Sequence, residues 1–214
     1  MAEGDLALDL FFGGLGMTTN TLALRRSLRT QRQALSLTQQ TRASQMCIEA
    51  LKKFILTHQP TVKNIALYYP IQGEIDLLGL PKLIAQNFPS KINFFLPVLN
   101  HPKEPLSFGR YESLKDLKRN RLGILEPETS PLTPQQLDFV CVPLVAFDAE
   151  RHRVGMGGGY YDRTFAFRAQ SASTPFLMGI GYAFQEIPVF TPNPWDITMD
   201  GILTERGLYG SMSF

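Results

Sequence analysis

The stretch Leu137–Val145, L-D-F-V-C-V-P-L-V, constrains the fold more than any other. It is almost continuously apolar and short, as expected for a strand covered on both faces at the centre of a parallel sheet. Asn64–Tyr69 (N-I-A-L-Y-Y), Lys91–Leu99 (K-I-N-F-F-L-P-V-L) and Phe176–Tyr182 carry the same signature, and Leu106–Tyr111 and Gly201–Leu203 predict two further strands. Helical patterns lie between them. One covers Thr21 to about Ala34. A second opens at Ser36 with Gln39 as a capping box and ends before Pro60. Its apolar positions are Ala43, Met46, Cys47, Ala50, Leu51 and Phe54. A third runs from about Leu77 to Gln86, and a fourth from Tyr160 to Phe167. Strands alternating with helices predict a layered α/β fold, with a mostly parallel sheet flanked by helices.

A chain of 214 residues without internal repeats fits one domain, residues 21–214. Residues 1–20 read as a flexible N-terminal extension with Met17 as an alternative start; they lack the basic start and long apolar core of a secretory signal. The net charge of +2 is too small to argue for nucleic acid or a membrane surface, and neither is expected as a partner. Cys47 and Cys141 sit in apolar runs and read as buried thiols of a reducing compartment, which predicts a cytoplasmic protein. His58, His101 and His152 have no zinc-ligand spacing.

The chemistry concentrates in Arg153–Arg163, R-V-G-M-G-G-G-Y-Y-D-R. Gly155, Gly157, Gly158 and Gly159 precede a helical stretch, so several free N–H groups can converge on an anion such as phosphate. Neither a dinucleotide fingerprint nor a P-loop is present, since Tyr160 stands where the first needs glycine and no Lys-Ser/Thr follows the last glycine. Upstream, Arg25, Arg29 and Arg32 share one helix face. By itself that stripe is an ordinary solvated basic face; the functional alternative is a clamp for a polyanion. Glu74 falls just beyond the carboxyl end of a strand, where α/β sheets bind ligands. Asp76 is the better-placed helix cap, which leaves Glu74 free for a ligand. The basic segment Leu114–Arg121 is expected to face solvent, and the Pro-rich tract to Pro134 to be irregular.

V-P-L-V-A-F-D followed by R-V-G-M-G-G-G-Y-Y-D-R resembles the signature of the 5-formyltetrahydrofolate cyclo-ligase family. Arg25-Arg26-Ser27-Leu28-Arg29, Tyr69-Pro70 with Glu74, Gly123-Ile124 with Glu126-Pro127, and Trp195-Asp196 with Asp200 resemble its other motifs in the same order. The resemblance covers about Leu22 to Thr204. It implies a Rossmann-like fold of the sugar-isomerase and CoA-transferase kind. It also implies an ATP- and Mg2+-dependent enzyme converting 5-formyltetrahydrofolate to 5,10-methenyltetrahydrofolate. In that reaction the formyl oxygen attacks the γ-phosphate, and N10 then closes the ring as phosphate leaves.

By this resemblance Arg25, Arg26, Ser27, Leu28 and Arg29 hold ATP phosphates. Arg153, Val154, Gly155, Met156, Gly157, Gly158, Gly159, Tyr160 and Tyr161 wrap the triphosphate, and Met156 to Tyr160 also touch the folate. Tyr69 and Glu74 contact the folate, and Asp162 and Asp196 bind Mg2+. The expected state is a monomer. The chain departs from the common family pattern at Arg25 (often lysine), Arg151 (often glycine) and Met156 (often aromatic or basic). Two other readings are a non-catalytic nucleotide- or RNA-binding relative of the same fold, and a sugar-phosphate isomerase or sensor. The first would be favoured by a strongly basic surface or by loss of Asp162, Asp196 or the arginine cluster, but those residues are all present. The second leaves the Tyr-Tyr-Asp run and the N-terminal arginines unexplained.

Overall fold

The computed structural model describes residues 17–59, 61–87, 92–101, 103–128, 132–171 and 174–209. The expected extension lies outside them as far as residue 16. The first helix, α1, spans Met17–Ala34 and so begins four residues before the expected boundary. Met17–Asn20 contains neither proline nor glycine, and nothing in those residues interrupts the helix. The second, α2, spans Leu37–His58, and Ser36 and Gln39 form the expected capping box, with Ser36 Oγ accepting from the Gln39 N–H at 3.2 Å. Ser44, Cys47, Leu51, Phe54 and Ile55 are buried on its inner face. Met46, expected in that stripe, is 45% exposed. It lies at the edge of the apolar face, beyond the reach of the sheet.

Seven strands form one sheet: β1 (Asn64–Ala66), β2 (Asn93–Val98), β3 (Ser107–Arg110), β6 (Phe139–Pro143), β9 (Phe176–Ile180), β10 (Gly201–Thr204) and β11 (Gly207–Tyr209), in the order β11-β10-β9-β6-β1-β2-β3. The predicted central strand, β6, is fourth of the seven. All pairs from β10 to β2 are parallel, and an antiparallel strand closes each edge. β6 shows the alternation that two covered faces require. Phe139 and Cys141 join the core under α2, while Val140 and Val142 point to the other face, against Phe165 and Ile202. The third helix, α3, is Leu80–Asn87, starting three residues later than expected because Asp76 Oδ1 caps the Leu78 N–H in a preceding turn.

Two small hairpins escape the sequence pattern. The expected solvent-facing basic segment is exposed, but Leu117–Arg119 (β4) pairs there with Leu125–Pro127 (β5). Beyond β6, Ala146–Phe147 (β7) pairs with Arg153–Val154 (β8). The glycine run then enters α4, Tyr160–Phe165, shorter than predicted and followed by α5, Arg168–Ser171.

Both cysteines are free and buried, as expected. Burial pushes the Cys47 thiol up to about 12 and raises Cys141 as well, so neither forms thiolate near neutrality. An aromatic disulfide reagent at neutral pH should therefore label neither thiol in the native protein and both in denaturant. Stoichiometric labelling before unfolding would contradict this packing.

Candidate active site

The chain leaves β1 for β2 on one side and later returns to place β6 on the other. Where winding reverses, the segments leaving the two strands diverge and open a crevice at their carboxyl ends. A cavity of about 1520 Å3 occupies that crevice. Tyr69 and Glu74 line it from the β1 end, Arg25 from α1, and all of Arg153–Asp162 from the β8–α4 connection. Trp195 and Asp196 close its far rim. Residues expected to act together from four separate stretches thus line one cavity.

The glycine run does its shaping at two positions. Gly157 has φ 97° and Gly159, the residue capping α4, has φ 61°, values that side-chain-bearing residues resist. The loop is tethered from both sides. Arg25 Nε donates to the Gly155 carbonyl at 2.8 Å, and Arg163 Nη2 donates to that of Gly158 at 2.8 Å. Arg163 also lies over the Tyr160 ring, and Arg121 of the β4–β5 loop donates to the Tyr160 hydroxyl at 3.3 Å.

Only part of the predicted basic motif reaches the cavity. Five consecutive helical residues cannot share one face. Arg25 lines the cavity with Thr21 and Leu24, one turn earlier than the motif implied. Arg26 is exposed, and Ser27 accepts from Gln31 on the helix surface. Leu28 is buried against Val145, Val154 and Ile187. Arg29 is not on the wall; its Nε is buried with no hydrogen bond among the described residues. The Arg25, Arg29, Arg32 stripe is therefore not a solvated face: Arg32 is 1% exposed and paired with Glu74 at 3.5 Å. Glu74 is itself 8% exposed. Burial raises its carboxyl above the ordinary value, opposed by Arg32, the Ile71 N–H and Arg29. Tyr68, just before Tyr69, donates its hydroxyl to the Ile75 carbonyl at 2.7 Å, and burial beside Glu74 raises it strongly.

The two expected metal carboxylates each keep one oxygen without a hydrogen bond among the described residues. Asp162 Oδ1 accepts from Arg153 Nη2 at 2.7 Å and the Ile197 N–H at 3.3 Å. Asp196 Oδ2 accepts twice from Asn193 at 2.9 Å. No cluster of three or more His, Cys, Asp or Glu suited to a metal occurs among the described residues. The donor set suits Mg2+, which takes one or two carboxylates and fills its shell with water and nucleotide phosphates. Asp200, grouped with Asp196 in the sequence motif, instead forms a two-oxygen pair with Arg168 and caps the Leu177 N–H.

The model of the 5-formyltetrahydrofolate cyclo-ligase family matches residues 17–205. The chain belongs to this family. It is 36% identical over 185 residues to the 5-formyltetrahydrofolate cyclo-ligase of Haemophilus influenzae, covering 84% of this chain and 95% of that protein. The Escherichia coli K12 protein of the same name is 33% identical over 189 residues, covering 83% and 96%. Among solved structures, a 5,10-methenyltetrahydrofolate synthetase from Aquifex aeolicus superposes with a TM-score of 0.73 at 32% identity, covering 88% of this chain and 91% of that one. The Mycoplasma pneumoniae synthetase gives 0.70 at 30%, covering 86% and 98%. Among the described residues, no helix is long and apolar enough to cross a membrane.

The cyclo-ligase departure at Arg151 has a conformational meaning. Arg151 sits at φ 68° in the β7–β8 turn, pinned by its N–H to the Asp148 carbonyl (3.0 Å) and its carbonyl to the Met199 N–H (3.1 Å). A left-handed residue with a side chain costs roughly 1–2 kcal/mol, partly offset by the extra freedom glycine has when unfolded, about 0.5–1 kcal/mol. The net gain of about 0.5–1 kcal/mol means that Arg151→Gly should raise the melting temperature by about 1–4 °C in thermal denaturation. A lower melting temperature would mean that side-chain contacts of Arg151 outweigh the strain.

Proposed function

We propose that the protein converts 5-formyltetrahydrofolate and ATP to 5,10-methenyltetrahydrofolate, ADP and phosphate, with the named cavity residues carrying the reaction. Family membership supports the activity. The observation that carries the site assignment is that the tethered glycine loop and the Glu74 strand end open into one cavity. Its volume, about 1520 Å3, exceeds the roughly 300–1,000 Å3 of a pocket for one ligand, as two co-substrates require. A sugar-phosphate isomerase would need no room for a second co-substrate.

In this reading the domain begins with α1 and extends over the rest of the chain. The loop N–H groups from Gly155 to Gly159 hold the triphosphate, and Arg25 fixes the loop through the Gly155 carbonyl. Glu74 and Tyr69 hold the pterin, the carboxylate accepting from its ring N–H and amino group. Both ends together align the formyl oxygen with the γ-phosphorus. The phosphoryl group passes to that oxygen as ADP leaves, N10 attacks the activated formyl carbon, and the C–O bond breaks to release phosphate. Such chemistry depends on alignment and charge neutralisation and needs no protein nucleophile. Asp162 and Asp196 would hold a Mg2+ ion, which supplies charge neutralisation on the phosphates.

The direct test mixes protein, 5-formyltetrahydrofolate, ATP and MgCl2 and follows the absorbance of the methenyl product. Absence of product with folded protein across neutral pH would sink the reading. Arg25→Ala should raise the KM for ATP by about 10-fold or more, the loss of one charge-assisted contact, with a smaller change for the folate. The opposite order would move Arg25 to the folate side. Asp162→Asn should lower kcat/KM about 10-fold or more at limiting Mg2+, with partial recovery as Mg2+ is raised. An unchanged Mg2+ dependence would remove Asp162 from the metal site.

A further inference from the structure

Buried behind the Glu74 end of the cavity, Arg32 contacts three separate parts of the chain at once. Its Nε donates to the Gln72 carbonyl at 3.0 Å, in the loop beyond β1. Its Nη1 donates to the Leu144 carbonyl at 3.3 Å, just beyond β6. Its Nη2 faces Glu74 Oε1 at 3.5 Å. The guanidinium thus bridges the two strand ends whose divergence makes the cavity.

The loop it grips has little freedom. Gln72 and Gly73 are left-handed in succession (φ 51° and 77°), turning the chain so that Glu74 Oε2 accepts from the Ile71 N–H at 3.1 Å. A Cβ on Gly73 would stand 3.0 Å from the Arg32 carbonyl oxygen, so the loop lies directly on α1. On its other side, the Tyr182 hydroxyl donates to the Gly73 carbonyl at 2.9 Å.

We propose that Arg32 is the positioning residue for Glu74, holding one carboxylate oxygen in the wall so that the remaining lone pairs face the folate. This rests on the reading of Glu74 as a folate contact. A stabilising role alone does not explain the arrangement, because a buried ion pair is on average no more stabilising than apolar residues of similar size. A carboxylate has about four acceptor sites; the Ile71 N–H takes one on Oε2, while Arg32 faces Oε1 as an ion pair at 3.5 Å without a hydrogen bond. That leaves acceptors on both oxygens for a pair of ring donors.

The arrangement also governs the charge of Glu74. The groups facing it are Arg32 and Arg29 of α1, the Ile71 N–H, Tyr68 after β1, Tyr161 of α4 and Tyr182 after β9. Only the two arginines are cationic, and Arg32 opposes the effect of burial more than any other group. Without it the carboxyl rises further, so a larger share of Glu74 is protonated toward the acidic end of the working range. It then presents a donor where the pterin needs an acceptor, and recovers as pH rises.

Steady-state kinetics with both substrates, from about pH 6 to about pH 9, would test this on Arg32→Lys, Arg32→Met, Glu74→Gln and the Arg32→Met/Glu74→Gln double variant. Arg32→Met should raise the KM for 5-formyltetrahydrofolate about 10-fold or more near pH 6.5, with the increase shrinking toward high pH and the KM for ATP changing about 2-fold at most. Arg32→Lys should fall between it and the parent protein, and carries the test if Arg32→Met does not fold. The double variant should be no worse than Glu74→Gln. Overturning results are a pH-independent increase, equal increases for both substrates, or independent, multiplying effects of the two substitutions. If Glu74→Gln alone leaves the folate KM unchanged, it is the assignment of Glu74 to the folate that fails.

Discussion

A guanidinium buried to 1% exposure where the sheet divides is the interaction on which the site depends. Burying an arginine is tolerable only if its charge is met: Arg32 donates to the Gln72 and Leu144 carbonyls, and its Nη2, which makes no hydrogen bond among the described residues, faces the Glu74 carboxylate as an ion pair. Those partners lie beyond β1 and β6, so the bond set ties the two halves of the winding together. Seven residues earlier on the same helix, Arg25 grips the glycine loop. At 1.5 Å per residue the two anchors are separated by about 10 Å along the axis. One rigid helix therefore spaces the Glu74 end of the cavity from the Gly155 end. For a transfer between two bound molecules, that spacing matters as much as any single contact.

Much of the fold was legible because parallel sheets bury both faces. Leu137–Val145 carries that signature, and β6 is indeed central; the Ser36–Gln39 capping box is a local interaction that needs no tertiary partner. Short antiparallel pieces were not legible. β4, β5, β7, β8 and β11 have two or three residues each, too few for an alternation to register. The start of α1 was misplaced because composition changes near residue 20 while the backbone does not.

The site shows the same division. Glycine spacing and the Tyr160–Asp162 run are local, and they occupy the cavity wall as expected. The basic stripe was ambiguous because periodicity places residues on a common face without saying what that face meets. Arg32 and Arg29 turn inward, Leu28 packs on the β7–β8 hairpin, and Arg25 alone of the predicted basic motif reaches the wall. The signal for Arg32 was its i+7 spacing from Arg25, which became informative only once Glu74 was found opposite. Arg151 showed in the sequence only as a residue standing where glycine is common; the left-handed backbone angle that explains the glycine needed the structure.

Trp195, 69% exposed on the rim of the cavity, is the single tryptophan of the chain. Tryptophans are ordinarily largely buried, so their emission follows unfolding. Here the indole is already exposed in the native state and stands beside Asp196 on the cavity rim. This position puts the chain's one indole where emission would follow what occupies the cavity more than the state of the core.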